Sequence, residues 1–386
     1  MRKIKYQKNI QIKKISSLLE NSKKYSDTPT QENLDQAKQA LDLCLQTNDQ
    51  RMTAECFVNL GNIFRHLSDY QQALEMYTNS LKIREALSDK DKIADCLSLI
   101  GITLCNLNKY DSALENYQRA LKVREELNDN KSAAYLLNSI GIVYWNLSSY
   151  EKALSYYQKS LKLREKIKDK KGIASTLNNI GLIYRNLGFY DKTSEYYFKS
   201  LKIREEIGVK KDISGSLNNI GILYLNLKKY NQALQFYLNS LKISEEINDK
   251  IGVAGTNNNI GLVYWNKGDH DKALAHHFKA LELYEELNEK SGIAKTLNNI
   301  GNDYNRSNQN TKALEFYMKA LKIKETIGDK RGIASTLSNG ARLYLNLGKL
   351  KQAREFLKRG LEIAKKIKAK DLLREIYQVF SELYEI

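Results

Sequence analysis

The sequence predicts an all-α fold, an α-solenoid of stacked helix-turn-helix repeats, and three observations carry that prediction. Glycine stands at 61, 101, 141, 181, 221, 261 and 301, forty residues apart with no insertion or deletion, and Ala341 continues the series. Aromatic and small residues keep the same period. Tyr144, Tyr184, Tyr224, Tyr264, Tyr304 and Tyr344 form one column, and Tyr77, Tyr117, Tyr157, Tyr197, Tyr237 and Tyr317 another. Four residues before the second lies an alanine column: Ala73, Ala113, Ala153, Ala233, Ala273, Ala313 and Ala353. Within each period, apolar residues recur at helical spacing on two separate stretches. At 386 residues a chain without repeats would divide into two or three domains. A repeat array is the alternative, and the strict period selects it.

Taken in order, residues 1–30 form a basic N-terminal segment, read as a fraying cap helix, whose first 24 residues hold eight Lys or Arg against one Glu. Residues 31–50, around "ENLDQAKQALDLCLQ", read as a degenerate half repeat. Eight units follow, at 51–90, 91–130, 131–170, 171–210, 211–250, 251–290, 291–330 and 331–370, and then a capping helix at 371–386. The unit at 171–210 illustrates the rest. Ile173, Leu177, Ile180, Tyr184 and Leu187 share one face of a first helix over 172–187. Gly188 breaks it, and a second helix over 190–207 groups Tyr197, Leu201 and Ile207. Asp191, like Asp111 and Asp271, puts a carboxylate in the first turn, where the helix dipole favours it. A third small column, Ser80, Ala120, Ser160, Ser200, Ser240, Ala280, Ala320 and Gly360, lets backbones approach and gives the tyrosines a socket.

On these residues the chain resembles the tetratricopeptide repeat family, whose pattern is W-x₂-L-G-x₂-Y followed by A-x₃-F and a terminal proline. Leu177, Ile180, Gly181 and Tyr184 match its first half, with leucine in place of tryptophan, and Ala153 with Tyr157 or Ala233 with Tyr237 match its second. The proline is missing from every unit. Usual units have thirty-four residues, so a period of forty implies that both helices are longer by less than a turn. A proline inside a continuing helix would cost about 3 kcal/mol, which agrees with its loss. Such units are similar to those of Pins-type adaptors, kinesin light chains and bacterial regulators. The resemblance implies a right-handed superhelix whose first helices line a concave wall where peptides or partner segments bind.

The first helices carry an unusual outer stripe. Asparagine is a poor helix former, because its amide competes for backbone hydrogen bonds, yet it recurs at fixed slots. The stripe comprises Asn138, Asn146, Asn178, Asn179, Asn186, Asn218, Asn219, Asn226, Asn258, Asn259, Asn266, Asn298 and Asn299. It surrounds an aliphatic column of Ile102, Ile142, Leu182, Ile222 and Leu262, flanked by Trp145, Trp265, Arg65 and Arg185. A carboxamide offers donor and acceptor together, so it matches a peptide backbone of any sequence. We therefore take Asn138, Trp145, Asn146, Asn178, Asn179, Leu182, Arg185, Asn186, Asn218, Asn219, Asn226, Asn258, Asn259, Trp265, Asn266, Asn298 and Asn299 as candidate groove residues. Trp145 and Trp265 are the anchor candidates, because buried aromatic and Arg side chains dominate hot spots. Two other readings of the asparagines stay open: a structural ladder between adjacent helices, or the compositional drift of an AT-rich genome.

Catalytic and cofactor chemistry finds no motif. Neither G-x-x-x-x-G-K-[ST] nor G-x-S-x-G occurs. In "HDKALAHH", His270 and His277 are seven residues apart, about 10.5 Å along a helix, too far for one ion, so the histidines are read as structural. Cys44, Cys56, Cys96 and Cys105 show no C-x-x-C spacing and are expected to be buried free thiols. No cofactor, metal or catalytic residue is assigned. No stretch approaches the eighteen apolar residues of a membrane span and the N-terminus lacks the apolar core of a secretory signal, so a cytoplasmic protein is expected.

The formal net charge is +17. Lys159, Lys162, Lys199 and Lys202 share the outer face of the second helices with Glu195 and Glu206, a mixed surface that reads as solvation. The expected function is a protein-protein interaction scaffold that binds a peptide or partner segment in the concave groove. Alternatives are a sensory module of a signalling or transcription system, and a nucleic-acid-binding repeat protein. The last would need basic side chains on the recognition face, whereas the inner slots are mainly neutral.

Overall fold

The computed structural model describes residues 2–24, 29–367 and 369–385, and every regular element among them is helical. The helices divide into two compact units, one ending at Gly188 and one starting at Phe189. The first unit comprises α1 (Arg2–Ser22), α2 (Gln31–Thr47), α3 (Gln50–His66), α4 (Tyr70–Ala86), α5 (Lys90–Asn106), α6 (Tyr110–Glu126), α7 (Asn130–Asn146), α8 (Tyr150–Lys166) and α9 (Lys170–Asn186). The second comprises α10 (Tyr190–Ile207), α11 (Lys210–Asn226), α12 (Tyr230–Glu246), α13 (Lys250–Lys267), α14 (His270–Glu286), α15 (Lys290–Arg306), α16 (Asn310–Ile327), α17 (Lys330–Asn346), α18 (Leu350–Lys366) and α19 (Lys370–Tyr384).

The turns explain why the period never slips. Most helices end on a residue with positive φ, at twenty-residue intervals: Asn48, Ser68, Ser88, Asn108, Asn128, Ser148, Lys168 and Gly188 in the first unit. Gly208, Lys228, Asn248, Gly268, Asn288, Asn308, Gly328 and Gly348 continue the series in the second. The left-handed conformation lets the chain reverse within three residues, after which a carboxylate often opens the next helix. Asp49, Asp69, Asp89, Asp129, Asp169, Asp269 and Asp329 each accept a hydrogen bond from the backbone N–H three residues on. Because Asp169 accepts from the Gly172 N–H, α9 begins at Lys170, two residues before the sequence-based boundary.

Packing between the two helices of a pair is set by glycine and an aromatic ring. A Cβ placed at Gly61, Gly101, Gly141 or Gly221 would lie 2.5–2.6 Å from the ring of Tyr77, Tyr117, Tyr157 or Tyr237. These rings are buried, so the second helix seats its tyrosine directly on the first helix's backbone. Between pairs, hydroxyls of the third small column bridge backbones: Ser80 donates to the Ala54 carbonyl at 2.9 Å and Ser160 to the Ala134 carbonyl at 2.7 Å. In the second unit Ser240 donates to the Ser214 carbonyl at 2.9 Å. First helices of successive pairs approach one another more closely than second helices do, which puts the first helices on the inner side of each unit.

Three local features stand out from the repeat. At residues 31–50, α2 packs against α1, whose Ile15 and Leu19 are buried with Ala40, Cys44 and Cys56. The N-terminal helix is thus packed through its apolar face. The four cysteines are free thiols, three of them buried and Cys105 half-buried; the sulfurs of Cys44 and Cys56 lie 3.2 Å apart, and Cys96 contacts Ser80. Burial pushes the Cys44 and Cys56 thiols up, so neither is a ready nucleophile. Finally, His277 fills a tyrosine socket against Gly261 and its Nδ1 lies 2.6 Å from Asp303 Oδ2, both side chains being fully buried. The slot of Asp303 is aliphatic in Ile63, Val143, Val263 and Leu343, so the two polar residues enter the core together.

Candidate partner-binding surface

In the first unit the inner faces of α3, α5 and α7 enclose a cavity of about 870 Å³. Helical geometry brings four equivalent slots of α3 and α5 to this face, and α7 adds residues nearer its start. These positions hold Glu55, Val58, Asn59 and Asn62 on α3, Asp95, Ser98, Leu99 and Ile102 on α5, and Tyr135 with Leu136 on α7. Two arginines of the second helices reach between them. Arg124 is saturated, donating to Asp91 at 2.5 Å, to Asp95, and to Asp129 at 3.2 Å. The hydrogen bond from Arg124 is the main cause holding the Asp91 carboxyl below its usual range. Arg84 is less committed. It is buried, donates to Asp89 at 3.2 Å and stands 3.9 Å from Glu55, while its Nε has no acceptor. Lys23, Lys92 and Lys131 complete a lining in which cations outnumber the two carboxylates.

Six of the carboxamides expected to stand free bond to one another. Asn179 Nδ2 donates to Asn138 Oδ1 at 3.2 Å in the first unit. In the second, Asn259 donates to Asn218 at 2.8 Å and Asn299 to Asn258 at 3.0 Å. Asn138, Asn258, Asn259 and Asn299 are buried, and Asn178, Asn218, Asn219 and Asn298 are half-buried, Asn298 accepting from Thr336 Oγ1 at 2.9 Å. This is the ladder that the sequence left open. Its cause is register: each repeat sets one amide opposite the next, so a donor meets an acceptor every forty residues.

The remaining candidates stand further toward solvent. Asn146 and Asn186 are exposed, Leu182 and Arg185 half-buried, and Trp145 half-buried with an indole N–H that has no acceptor. In the second unit Asn226 is exposed, and so is Asn266, which donates to its own helix at the Leu262 carbonyl. The Trp265 indole N–H also lacks an acceptor, and the Arg306 guanidinium lies 4.6 Å from its ring centre.

Of the cavity residues, only Ile102 stood out in the sequence, as part of the aliphatic column, because it is in later repeats that asparagine marks the stripe. Val58 and Leu99 occupy the same slots as Asn178 and Asn179, so slot equivalence rather than residue type would have found them. A second missed signal is the half-buried aromatic stack inside repeats, Tyr144 on Tyr156 at 5.4 Å, Tyr224 on Phe236 at 5.2 Å and Tyr304 on Phe316 at 5.4 Å.

Among the described residues, no group of three or more His, Cys, Asp or Glu is placed to hold a metal ion, and no helix is long and apolar enough to cross a membrane. His276 meets Asn257 Oδ1 at 2.9 Å, and so belongs to the core network.

Known proteins place the architecture. The tetratricopeptide repeat model matches at 51–126, 92–166, 131–206, 172–246, 212–286, 252–326 and 292–366. No curated protein sequence matches the chain. Among solved structures, a Rap protein complexed with competence and sporulation factor is similar over 94% of this chain and 99% of that one, at 15% identity and a TM-score of 0.62. Aspartyl phosphate phosphatase F from Bacillus subtilis is similar over 74% and 75%, at 16% identity and 0.59. The apo form of the quorum sensor NprR from B. thuringiensis is similar over 86% and 97%, at 15% identity and 0.58. Identities this low show a shared fold alone. The repeat matches run without a gap from 51 to 366, over helices that pair as the pattern requires, and the chain belongs to the tetratricopeptide repeat family.

Proposed function

We propose that the protein is a non-enzymatic scaffold whose first helices hold a segment of another protein chain. The observation that carries this reading is the cavity on α3, α5 and α7, whose 870 Å³ lies within the range of roughly 300–1,000 Å³ typical of ligand clefts. Its wall combines Val58, Leu99, Ile102 and Tyr135 with Asn59, Asn62 and Arg84, Asn59 donating to Ser22 Oγ at 2.7 Å and Asn62 accepting from Tyr77 Oη at 2.8 Å. Apolar surface gives such a segment affinity, and the polar groups fix its register. An extended chain advances about 3.3 Å per residue and packed helices are about 10 Å apart, so each repeat addresses roughly three residues. Leu182, Arg185 and Asn186 extend the same chemistry in the first unit, and Asn226, Trp265 and Asn266 supply it in the second. The ladder amides serve this reading as support that sets helix register rather than as the grip itself.

The bound class is inferred to be protein rather than nucleic acid, because the inner slots are mostly neutral and the cavity's own cations are partly neutralised by Glu55 and Asp95. A structural neighbour with the same fold is described as complexed with competence and sporulation factor, so that fold accommodates a second molecule in that protein. The test is affinity capture with wild type and with Ile102→Glu and Tyr135→Glu baits, identified by mass spectrometry and followed by calorimetry with the captured segment. Ile102 and Tyr135 reach solvent, so both variants should keep the wild-type far-UV spectrum. Loss of the same captured partner from both variants is expected. Capture that is unchanged in both would remove the cavity from the function.

A further inference from the structure

Four large apolar side chains stand in water at a single repeat slot of the second unit. Phe198 on α10, Leu238 on α12, Phe278 on α14 and Met318 on α16 are 38%, 53%, 40% and 44% exposed. The same slot holds Thr78, Gln118 and Gln158 on α4, α6 and α8, and Lys358 on α18. The slot follows the buried Tyr197, Tyr237 and Tyr317 by one residue, about 100° around the helix, and lies outside the buried core. Polar residues elsewhere prove that the repeat folds without an apolar residue there. The four are also continuous with apolar surface beneath them: Phe198 meets Phe236 edge to face at 6.0 Å, and Phe278 meets Phe316 at 6.1 Å. Scattered exposed apolar residues need no explanation, but a row running from helix to helix does.

Charge borders the row along one edge. One turn further along each helix the outward slot holds Lys202, Lys242, Glu282 and Lys322. Nearer the row, Lys199 and Lys319 are paired with Glu195 and Glu315 at 2.6 Å. Lys202, Lys242 and Lys322 form no close ion pair among the described residues, which leaves three cations parallel to the apolar row, Lys242 acting only at longer range on Glu246. Packed helices are about 10 Å apart, and these second helices stand no closer than that. The row is therefore at least about 30 Å long, the length of a helix of about 20 residues.

We propose that this face docks an acidic amphipathic helix of a partner protein, laid across α10, α12, α14 and α16 with its apolar side on Phe198, Leu238, Phe278 and Met318 and its carboxylates on Lys202, Lys242 and Lys322. Two other occupants fit less well. A second copy of the chain would bring the lysine rows together on a molecule of formal charge +17. An anionic membrane would press on the exposed Glu205, Glu245, Glu285 and Glu325, one turn beyond the lysines, whereas a single helix is narrow enough to stay clear of them. The site is on the outer side, so it stands or falls independently of the inner cavity.

The experiment uses the full chain and a fluorescein-labelled peptide of about 20 residues with leucines on one helical face and glutamates along its edges. Fluorescence anisotropy should report saturable binding. Leu238→Glu with Met318→Glu should weaken it at least about ten-fold, or 1.4 kcal/mol. Lys202→Glu, Lys242→Glu and Lys322→Glu together should do the same and should transfer binding to a lysine-edged analogue. All substituted side chains are exposed, and an unchanged thermal melt confirms the fold. No binding of the glutamate peptide, or equal binding by all variants, overturns the proposal. So does a wild-type dimer by light scattering that Leu238→Glu with Met318→Glu dissociates, which assigns the row to a second copy. Sedimentation with phosphatidylglycerol vesicles that the same variant abolishes assigns it to a membrane and overturns it equally.

Discussion

Lys324 occupies the slot that carries Arg84, Arg124, Arg164 and Arg204 in earlier repeats, and there a lysine behaves differently from an arginine. It is buried, its Nζ donating to Thr336 Oγ1 at 2.7 Å and more distantly to the Gly332 carbonyl at 3.4 Å. Burial lowers its pKa from 10.5 to about 8. An ammonium is compact and strongly hydrated, so it gives up its proton where a guanidinium would stay charged. The linkage has a definite sign. Between pH 8 and 10.5 the unfolded chain binds more protons at this site than the folded one, so stability rises with pH across that window. Below pH 8 the folded state bears the full cost of a buried ammonium, on the order of 3 kcal/mol from the shift. Lys324→Met should therefore be more stable than wild type at pH 7, with the advantage shrinking as pH approaches 10. Urea unfolding of both proteins across pH 6.5–10 measures the difference. A gap that stays constant with pH would show that Lys324 does not titrate in this way.

At the scale of the helix, the repeat is a lock between a glycine and a ring. A Cβ at Gly221 would lie 2.5 Å from Tyr237 Cε1, so Gly221→Ala must push α11 and α12 apart and should cost about 1–3 kcal/mol. Nature's own variant supplies the control, because α17 and α18 carry Ala341 and Leu357 at these two slots. Tyr237→Leu added to Gly221→Ala should then recover part of the loss, a coupling that thermal melts of the two singles and the double resolve. The asparagine ladder makes a parallel prediction. Asn258→Ala leaves buried Asn299 without the acceptor it meets at 3.0 Å, costing roughly 1–3 kcal/mol, and removing both amides should cost less than the sum of the singles. Strict additivity would mean that the bond contributes nothing. These two locks differ in how they could be read from the chain. Glycine and tyrosine columns betray themselves because steric fit demands one residue type at one spacing. An asparagine column announces only that amides are wanted, and the same letters serve a free groove or a paired ladder. Which it is depends on where neighbouring repeats set the partner amide, and that geometry lies outside any single helix. For the same reason only Ile102 of the cavity on α3, α5 and α7 showed itself in the aliphatic column, since Val58 and Leu99 stand where later repeats carry asparagine. Asp303 with His277 is a further case: a polar pair whose members are 26 residues apart becomes intelligible only when both enter one socket.

Across many repeats, stability is a sum of nearest-neighbour terms, so damage should stay local. The last helices provide the clearest test. In the second unit α19 packs on α17 and α18 through Leu372, Ile376, Val379 and Leu383, all buried, against Ala341, Leu345 and Leu357. Ile376 is at the centre of that contact and fully buried. Ile376→Asp would place a carboxylate in it with no cation to pair, and an unpaired charge in such a setting costs several kcal/mol. In a globular core that loss would spread through every element. In this architecture α13 and its neighbours are held by contacts of their own, among them Tyr237 with Ile260 and Val263. Hydrogen exchange read by mass spectrometry should therefore show peptides from α17 to α19 losing most of their protection in Ile376→Asp, while peptides from α11 to α13 keep wild-type rates. The melting curve should broaden or split for the same reason, because a chain of coupled repeats opens from its weakened end before the interior yields. Uniform loss of protection from α10 to α19 would mean that the second unit unfolds as one cooperative body and that nearest-neighbour additivity fails within it.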